Sequence, residues 1–160
     1  RFLMKVGWPQ LICVPDAEAL EVLSASWGDF IGEQYTPLLF SAFGDMFYQT
    51  STGVYWLDLG AMEITRIADT PEQFQSLLAT HQANEWFLPP LVEQLYAAHK
   101  IPQPGYCYSA TILPVFAEGK YTVSNLNPAP VKEHFLYTAS VHSQLANLPN
   151  GAKVRIVVTE

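Results

Sequence analysis

The chain is short of cysteine and of long apolar runs. It holds two cysteines, Cys13 and Cys107, among 160 residues, which are too few and too far apart for a cysteine-based zinc site. The first ten residues lack the pattern of a signal peptide, so both thiols are predicted to be reduced and buried in a cytoplasmic protein. Gly, Pro and polar residues interrupt every apolar run, and the sequence predicts no membrane-spanning helix.

Basic residues are also scarce, and their shortage is uneven. Eight Lys and Arg stand against fifteen Asp and Glu, for a net charge of −7. Residues 1–99 hold twelve of the acids and three of the bases, whereas residues 100–160 hold three acids and five bases. An acidic surface repels nucleic acid and anionic membranes and attracts a basic partner. It is also the ordinary means by which a protein stays soluble.

Known catalytic motifs are missing. The sequence contains no phosphate-binding GxxxxGK[ST] or GxGxxG loop and no GxSxG nucleophile elbow. His134 and His142 lie eight residues apart on one predicted helix, which separates them by about 12 Å, too far for one metal ion. We therefore expect no catalytic residues, no cofactor and no metal, and a protein that is not an enzyme.

Two side-chain groups keep a catalytic alternative open. Asp45 and Asp58 are predicted to lie close together and would then share a proton or bind a metal. The structural interpretation is that both accept hydrogen bonds from backbone amides at turns. Cys107 with a histidine would form a nucleophile and base, but its position between two tyrosines favours the core. We favour the structural interpretation in both cases.

Length and hydrophobic content predict a single α+β domain, an antiparallel sheet meander with helices packed against it. We expect residues 1–28 to form an N-terminal helical lead-in to the domain of residues 29–160, the two making one compact unit. Alternating and helical apolar spacings predict strands over 38–43, 46–50, 54–59, 62–67, 106–115 and 121–127, helices over 16–26, from 70, over 90–99 and over 131–148, and a β-rich tail over 153–159.

Residues 42–60 combine aromatic side chains with turn residues. A three-residue loop over 51–53 would place Thr50 opposite Val54 and Tyr48 opposite Trp56, with Met46 opposite Asp58. Both faces of this hairpin are then largely apolar, so one meets the core and the other is covered by a helix or a partner. Alternatively, the aromatic residues of 42–60 and 85–108 line a pocket, which would make the protein a small-molecule-binding module.

An ordered set of short motifs carries a family resemblance over residues 29–156. The motifs are FGDMF (43–47), VYWLDLG (54–60), IADTPEQF (67–74), EWFL (85–88), GYCY (105–108), KYTVSNL (120–126) and VHSQLANLPNGAKVRI (141–156). In their order and spacing the chain resembles the C-terminal domain of type VI secretion DNase-immunity proteins. It departs from that pattern at Pro89–Pro90, and only about thirty residues precede the resemblance, where many members carry a further domain.

The resemblance implies a bacterial protein that binds and neutralises a toxic nuclease by protein–protein contact, without catalysis and without contacting nucleic acid itself. The acidic first part of the chain suits this role, because a nuclease carries a basic groove for phosphate. Acidic and aromatic surface groups are the expected contacts. The candidate partner-binding residues are Glu33, Tyr35, Asp45, Glu63, Glu72, Glu85 and Glu93.

Overall fold

Six α-helices, one 3₁₀ helix (Val123–Asn125) and seven strands make up the computed structural model, which describes residues 6–146 and residue 148. The predicted tail over 153–159 lies outside these residues. In chain order the elements are α1 (Trp8–Leu11), β1 (Ile12–Cys13), α2 (Ala17–Ile31), β2 (Thr36–Ser41), β3 (Met46–Thr50), β4 (Gly53–Asp58), β5 (Glu63–Ala68), α3 (Pro71–Leu77), α4 (Gln82–Phe87), α5 (Pro89–Ala97), β6 (Tyr106–Ala110), β7 (Leu126–Pro130) and α6 (Val131–Leu145).

The predicted α+β architecture is confirmed. Strands β1 to β5 form one antiparallel sheet in sequence order, and β6 pairs with β7 in a separate two-stranded sheet. The predicted strands over 106–115 and 121–127 are wrong in extent, since β6 ends at Ala110 and β7 begins only at Leu126. The Asn125 side chain explains the intervening loop, because it bonds the backbone N–H and C=O of Ile112 and the C=O of Lys120.

The predicted register of the β3–β4 hairpin is wrong by one residue. Thr50 pairs with Gly53, so the loop has two residues, and Tyr48 faces Tyr55 rather than Trp56. Hydrogen bonds explain the tighter loop, because the Thr50 hydroxyl accepts from the Thr52 backbone N–H at 3.1 Å.

Helix starts follow their sequence signals. The Asp16 carboxylate accepts a hydrogen bond from the Ala19 N–H at 2.8 Å at the start of α2, and the Thr70 hydroxyl accepts from the Gln73 N–H at 3.1 Å at the start of α3. Helix α2 runs to Ile31 rather than to residue 26, so the expected boundary between residues 28 and 29 falls within one helix.

The segment before Pro89–Pro90 is more regular than expected. In place of a short turn over 85–87, α4 runs over Gln82–Phe87, and α5 begins at Pro89. Leu88 joins the two helices in the left-handed conformation, with φ of 48°. Proline is compatible with a first helical turn, whose N–H groups have no helical partner.

Both faces of the central hairpin are covered by helices, as the sequence predicts. On one face Met46, Tyr48 and Leu57 are buried with residues of α2 and α6. On the other face the Phe47 ring contacts the rings of Phe74, Trp86 and Phe87, with centroids 5.2 to 5.4 Å apart. The aromatic residues of this hairpin therefore fill the core between two layers of helices.

Candidate functional site

Asp58 accepts a hydrogen bond from a turn amide, as the structural interpretation predicts, whereas Asp45 bonds to Trp56 and Leu59 rather than to amides at the Gly44 bend. Asp45 is only 2% exposed, and its two oxygens accept from the Trp56 indole N–H at 3.2 Å and from the Leu59 N–H at 3.3 Å. The half-buried Asp58 accepts from the Ala61 N–H at 3.1 Å in the turn after β4. Both carboxyl groups thus fix the ends of the hairpin strands.

Burial and neighbouring charges raise the pKa values of both carboxyl groups. Burial raises the pKa of Asp45 well above its usual range, and the charge of Asp58 raises it further. Burial also raises the pKa of Asp58, to which the Glu63 charge adds. Among residues 6–146 and 148, neither carboxyl forms an ion pair, and no cluster of three or more His, Cys, Asp and Glu side chains is arranged to hold a metal ion.

Cys107 and His134 lie together in the core next to Gly44. The Cys107 side chain is fully buried, and burial raises the pKa of its thiol. His134 Nδ1 is 2.8 Å from the Ser109 hydroxyl, Nε2 has no hydrogen-bond partner, and burial lowers the pKa of the ring to about 4. A buried neutral thiol and a neutral imidazole do not form the thiolate that nucleophilic catalysis uses.

Of the candidate partner-binding residues, Glu33 and Tyr35 line one groove together. Glu33, Glu63, Glu72 and Glu85 are exposed on separate elements, whereas Glu93 is partly buried. Tyr35 is also partly buried, with its hydroxyl 2.6 Å from that of Ser24. Asp45 departs from the expectation of a surface contact, because its side chain is buried between the hairpin strands and the turn after β4.

Exposed cations are nearly absent from the acidic part of the chain. Arg66 is the only Lys or Arg between residues 6 and 99. Its Nη1 pairs with Asp69 at 2.8 Å, and its Nε and Nη2 donate to the Thr52 carbonyl. Asp69 is not among the predicted contacts, although its position three residues after the lone arginine is a recognisable signal of an ion pair. The surface formed by residues 6–99 therefore offers carboxylates without a free Lys or Arg.

An uncharged groove of about 560 Å³ lies beside the N-terminal elements. The Trp8, Tyr96 and Tyr106 side chains line it, together with Ile12 and the loop over 102–105. Of the aromatic-rich segment 42–60, only Ala42 reaches it. The groove thus takes no aromatic residue from 42–60, whereas Tyr96 and Tyr106 belong to 85–108, the other segment in which the sequence suggested a pocket.

Comparison with known families gives a match over part of the chain. Residues 69–142 match the family model described as "T6SS immunity protein Tdi1, C-terminal". The predicted resemblance is confirmed for this segment. The match lies within the predicted range of 29–156 and runs from just before α3 into α6. It supports an immunity protein of the type VI secretion system.

Structural and sequence comparisons beyond the family add little. The crystal structure of Atu4351 from Agrobacterium tumefaciens superposes with a TM-score of 0.49 at 18% identity, covering 80% of this chain and 65% of that one. The chain thus spans less than two thirds of that protein. Comparison with curated sequences gives no match. No helix in the described part of the chain is long and apolar enough to cross a membrane.

Proposed function

We propose that this protein is an immunity protein that binds a toxic nuclease effector in the cytoplasm and neutralises it by protein–protein contact, without catalysing a reaction. The observation that carries the proposal is the match of residues 69–142 to an immunity-protein family. Immunity of this kind requires a stable surface complementary to the toxin, and it requires no chemistry from the immunity protein itself.

The charge distribution supports a basic partner. Residues 1–99 carry twelve acids and three bases, and the one base among residues 6–99 is already paired with Asp69. A nuclease needs a basic groove to hold phosphates, and opposite charges speed association by steering the two proteins together. The exposed candidates Glu33, Glu63, Glu72 and Glu85 are proposed as contacts on this ground.

The buried groups support a role without catalysis. The carboxyl of Asp45, the thiol of Cys107 and the imidazole of His134 are each at most 4% exposed. A substrate would have to displace core side chains to reach them. Their hydrogen bonds and packing account for their positions as parts of the fold.

Co-expression tests the proposal. Cells carrying an inducible nuclease from a neighbouring type VI secretion gene should grow when this protein is co-expressed and die when it is not. A triple variant, Glu63→Lys/Glu72→Lys/Glu85→Lys, should protect less well, whereas Glu118→Lys/Glu133→Lys, which changes exposed acids in the second part of the chain, serves as the matched control. Failure of the unaltered protein both to restore growth and to co-purify with the nuclease would refute the proposal.

A further inference from the structure

Among residues 6–146 and 148, strand β5 is the longer open edge of the five-stranded sheet. The sheet ends at β1 on one side and at β5 on the other. Strand β1 has two residues and is soon followed by Pro15, whereas β5 offers six residues, Glu63–Ala68. Within the described chain, β5 pairs with β4 alone. An edge of this length presents unpaired N–H and C=O groups to which another strand can add.

The hairpin register shows which backbone groups of β5 point outward. Thr50 and Gly53 close a two-residue loop, so they form a hydrogen-bonded pair, and such pairs alternate along antiparallel strands. Trp56 and Asp58 consequently direct their backbone groups toward β5, opposite Thr65 and Glu63. Ile64 lies between Glu63 and Thr65, and Arg66 follows Thr65. The N–H and C=O groups of Ile64 and Arg66 therefore face away from β4.

The charges along this edge favour a basic occupant. Asp58 lies directly opposite Glu63 in the ladder, and like charges in that arrangement repel each other. Asp69 and Glu72 are exposed just after the strand. The Arg66 guanidinium pairs with Asp69 and donates a hydrogen bond to the Thr52 carbonyl, so it does not neutralise Glu63. A cationic side chain brought to this edge would relieve the repulsion.

The same charges argue against a second copy of this chain as the occupant. Two β5 edges placed side by side would bring Glu63 and Glu72 of one molecule near those of the other, while the one base of the strand, Arg66, is already paired with Asp69. Charged edge strands are a common means of preventing such pairing. A basic segment meets no such barrier. The edge thus discriminates by charge between self-association and a partner.

We propose that β5 binds an extended, basic segment of the toxin by strand addition, with the outward backbone groups of Ile64 and Arg66 forming the ladder and Glu63 pairing with a Lys or Arg of the toxin. This inference rests on the proposed function and specifies its surface. Main-chain hydrogen bonds would provide affinity, and the flanking carboxylates would select the partner.

Amide hydrogen exchange resolved by NMR tests the proposal on the intact protein, free and bound to the catalytically inactivated toxin. Exchange of the Ile64 and Arg66 amides should slow by at least about tenfold in the complex, because they gain partners. The Glu63 and Thr65 amides, already bonded to β4, should change much less. Glu63→Lys should weaken binding by about tenfold, and Glu118→Lys should leave it unchanged.

The outcomes separate this inference from the proposed function. A toxin that binds while the Ile64 and Arg66 amides exchange as before overturns strand addition and leaves the immunity role intact. Weaker binding of Glu63→Lys without amide protection shows a side-chain contact only, which also overturns it. If no toxin binds at all, the proposed function and this inference fail together.

Discussion

Asp45 is a carboxyl group buried without a cation. Its hydrogen bonds from the Trp56 indole and the Leu59 amide hold it in place, but burial and the nearby Asp58 raise its pKa well above the usual range. Folding therefore favours the protonated form. The stability that this provides is complete below the ordinary pKa and is lost as the pH rises through the pKa of the folded state.

Asp45→Asn should reveal this linkage. The free energy of unfolding of the variant, relative to the unaltered protein, should rise between pH 5 and pH 8, by up to about 1.4 kcal/mol per pH unit. Urea denaturation of both proteins across that range measures the difference between their free energies of unfolding. The buried His134 is present in both proteins, so its contribution cancels. The exposed Glu118→Gln serves as the control. A difference that stays constant with pH would show that Asp45 is ionised in the folded protein throughout.

Gly44 occupies a position where a side chain does not fit. Its φ is +81°, and a Cβ there would lie 2.6 Å from His134 Cδ2. Gly44→Ala should lower the free energy of unfolding by about 2–4 kcal/mol, through backbone strain and the clash. Gly28→Ala, where a Cβ would meet no atom within 4 Å, should instead raise it by about 0.5–1 kcal/mol. Equal effects of both changes in urea denaturation would contradict this account.

At the scale of the elements, helix starts could be predicted from neighbouring residues, whereas the pairing register of the strands could not. The capping residues Asp16 and Thr70 mark helix starts because their bonding partners lie three residues away. The hairpin register depends on whether Gly53 belongs to the loop or to the strand. Gly53 belongs to the strand, where a Cβ would lie 2.8 Å from the carbonyl oxygen of Ala68. Residues 111–122 form a loop that leads into a 3₁₀ helix over Val123–Asn125. The Asn125 side chain holds the loop through Ile112 and Lys120, a non-local arrangement without a periodic sequence signal.

Thr70→Ala tests one of these local signals. The substitution removes the hydroxyl that accepts from the Gln73 N–H at the start of α3, so the free energy of unfolding should fall by about 1 kcal/mol. Thr70→Ser keeps the hydroxyl and should stay within a few tenths of a kcal/mol of the unaltered protein by urea denaturation. A loss of similar size in both variants would mean that the Thr70 methyl group, rather than the cap, stabilises this helix.

At the scale of the whole molecule, charge is the feature that sequence analysis predicts best. The excess of acids in residues 1–99 needs no structure to be recognised. The placement of each carboxylate does need one, because burial depends on contacts distant in sequence. Asp45 illustrates this limit, since its sequence neighbours resemble those of an exposed turn residue while β4 and the following turn bury it. The β5 edge likewise emerges only from the sheet order.

The most direct test of the account is the association rate constant of the purified protein with the inactivated nuclease toxin, measured by stopped-flow fluorescence at several salt concentrations. Electrostatic steering between an acidic surface and a basic one predicts a rate that falls by at least about tenfold between about 0.05 and 0.5 M NaCl. A rate that does not change with salt, or the absence of binding at the lowest salt concentration, would contradict the central claim that this protein neutralises a basic toxin through its acidic surface.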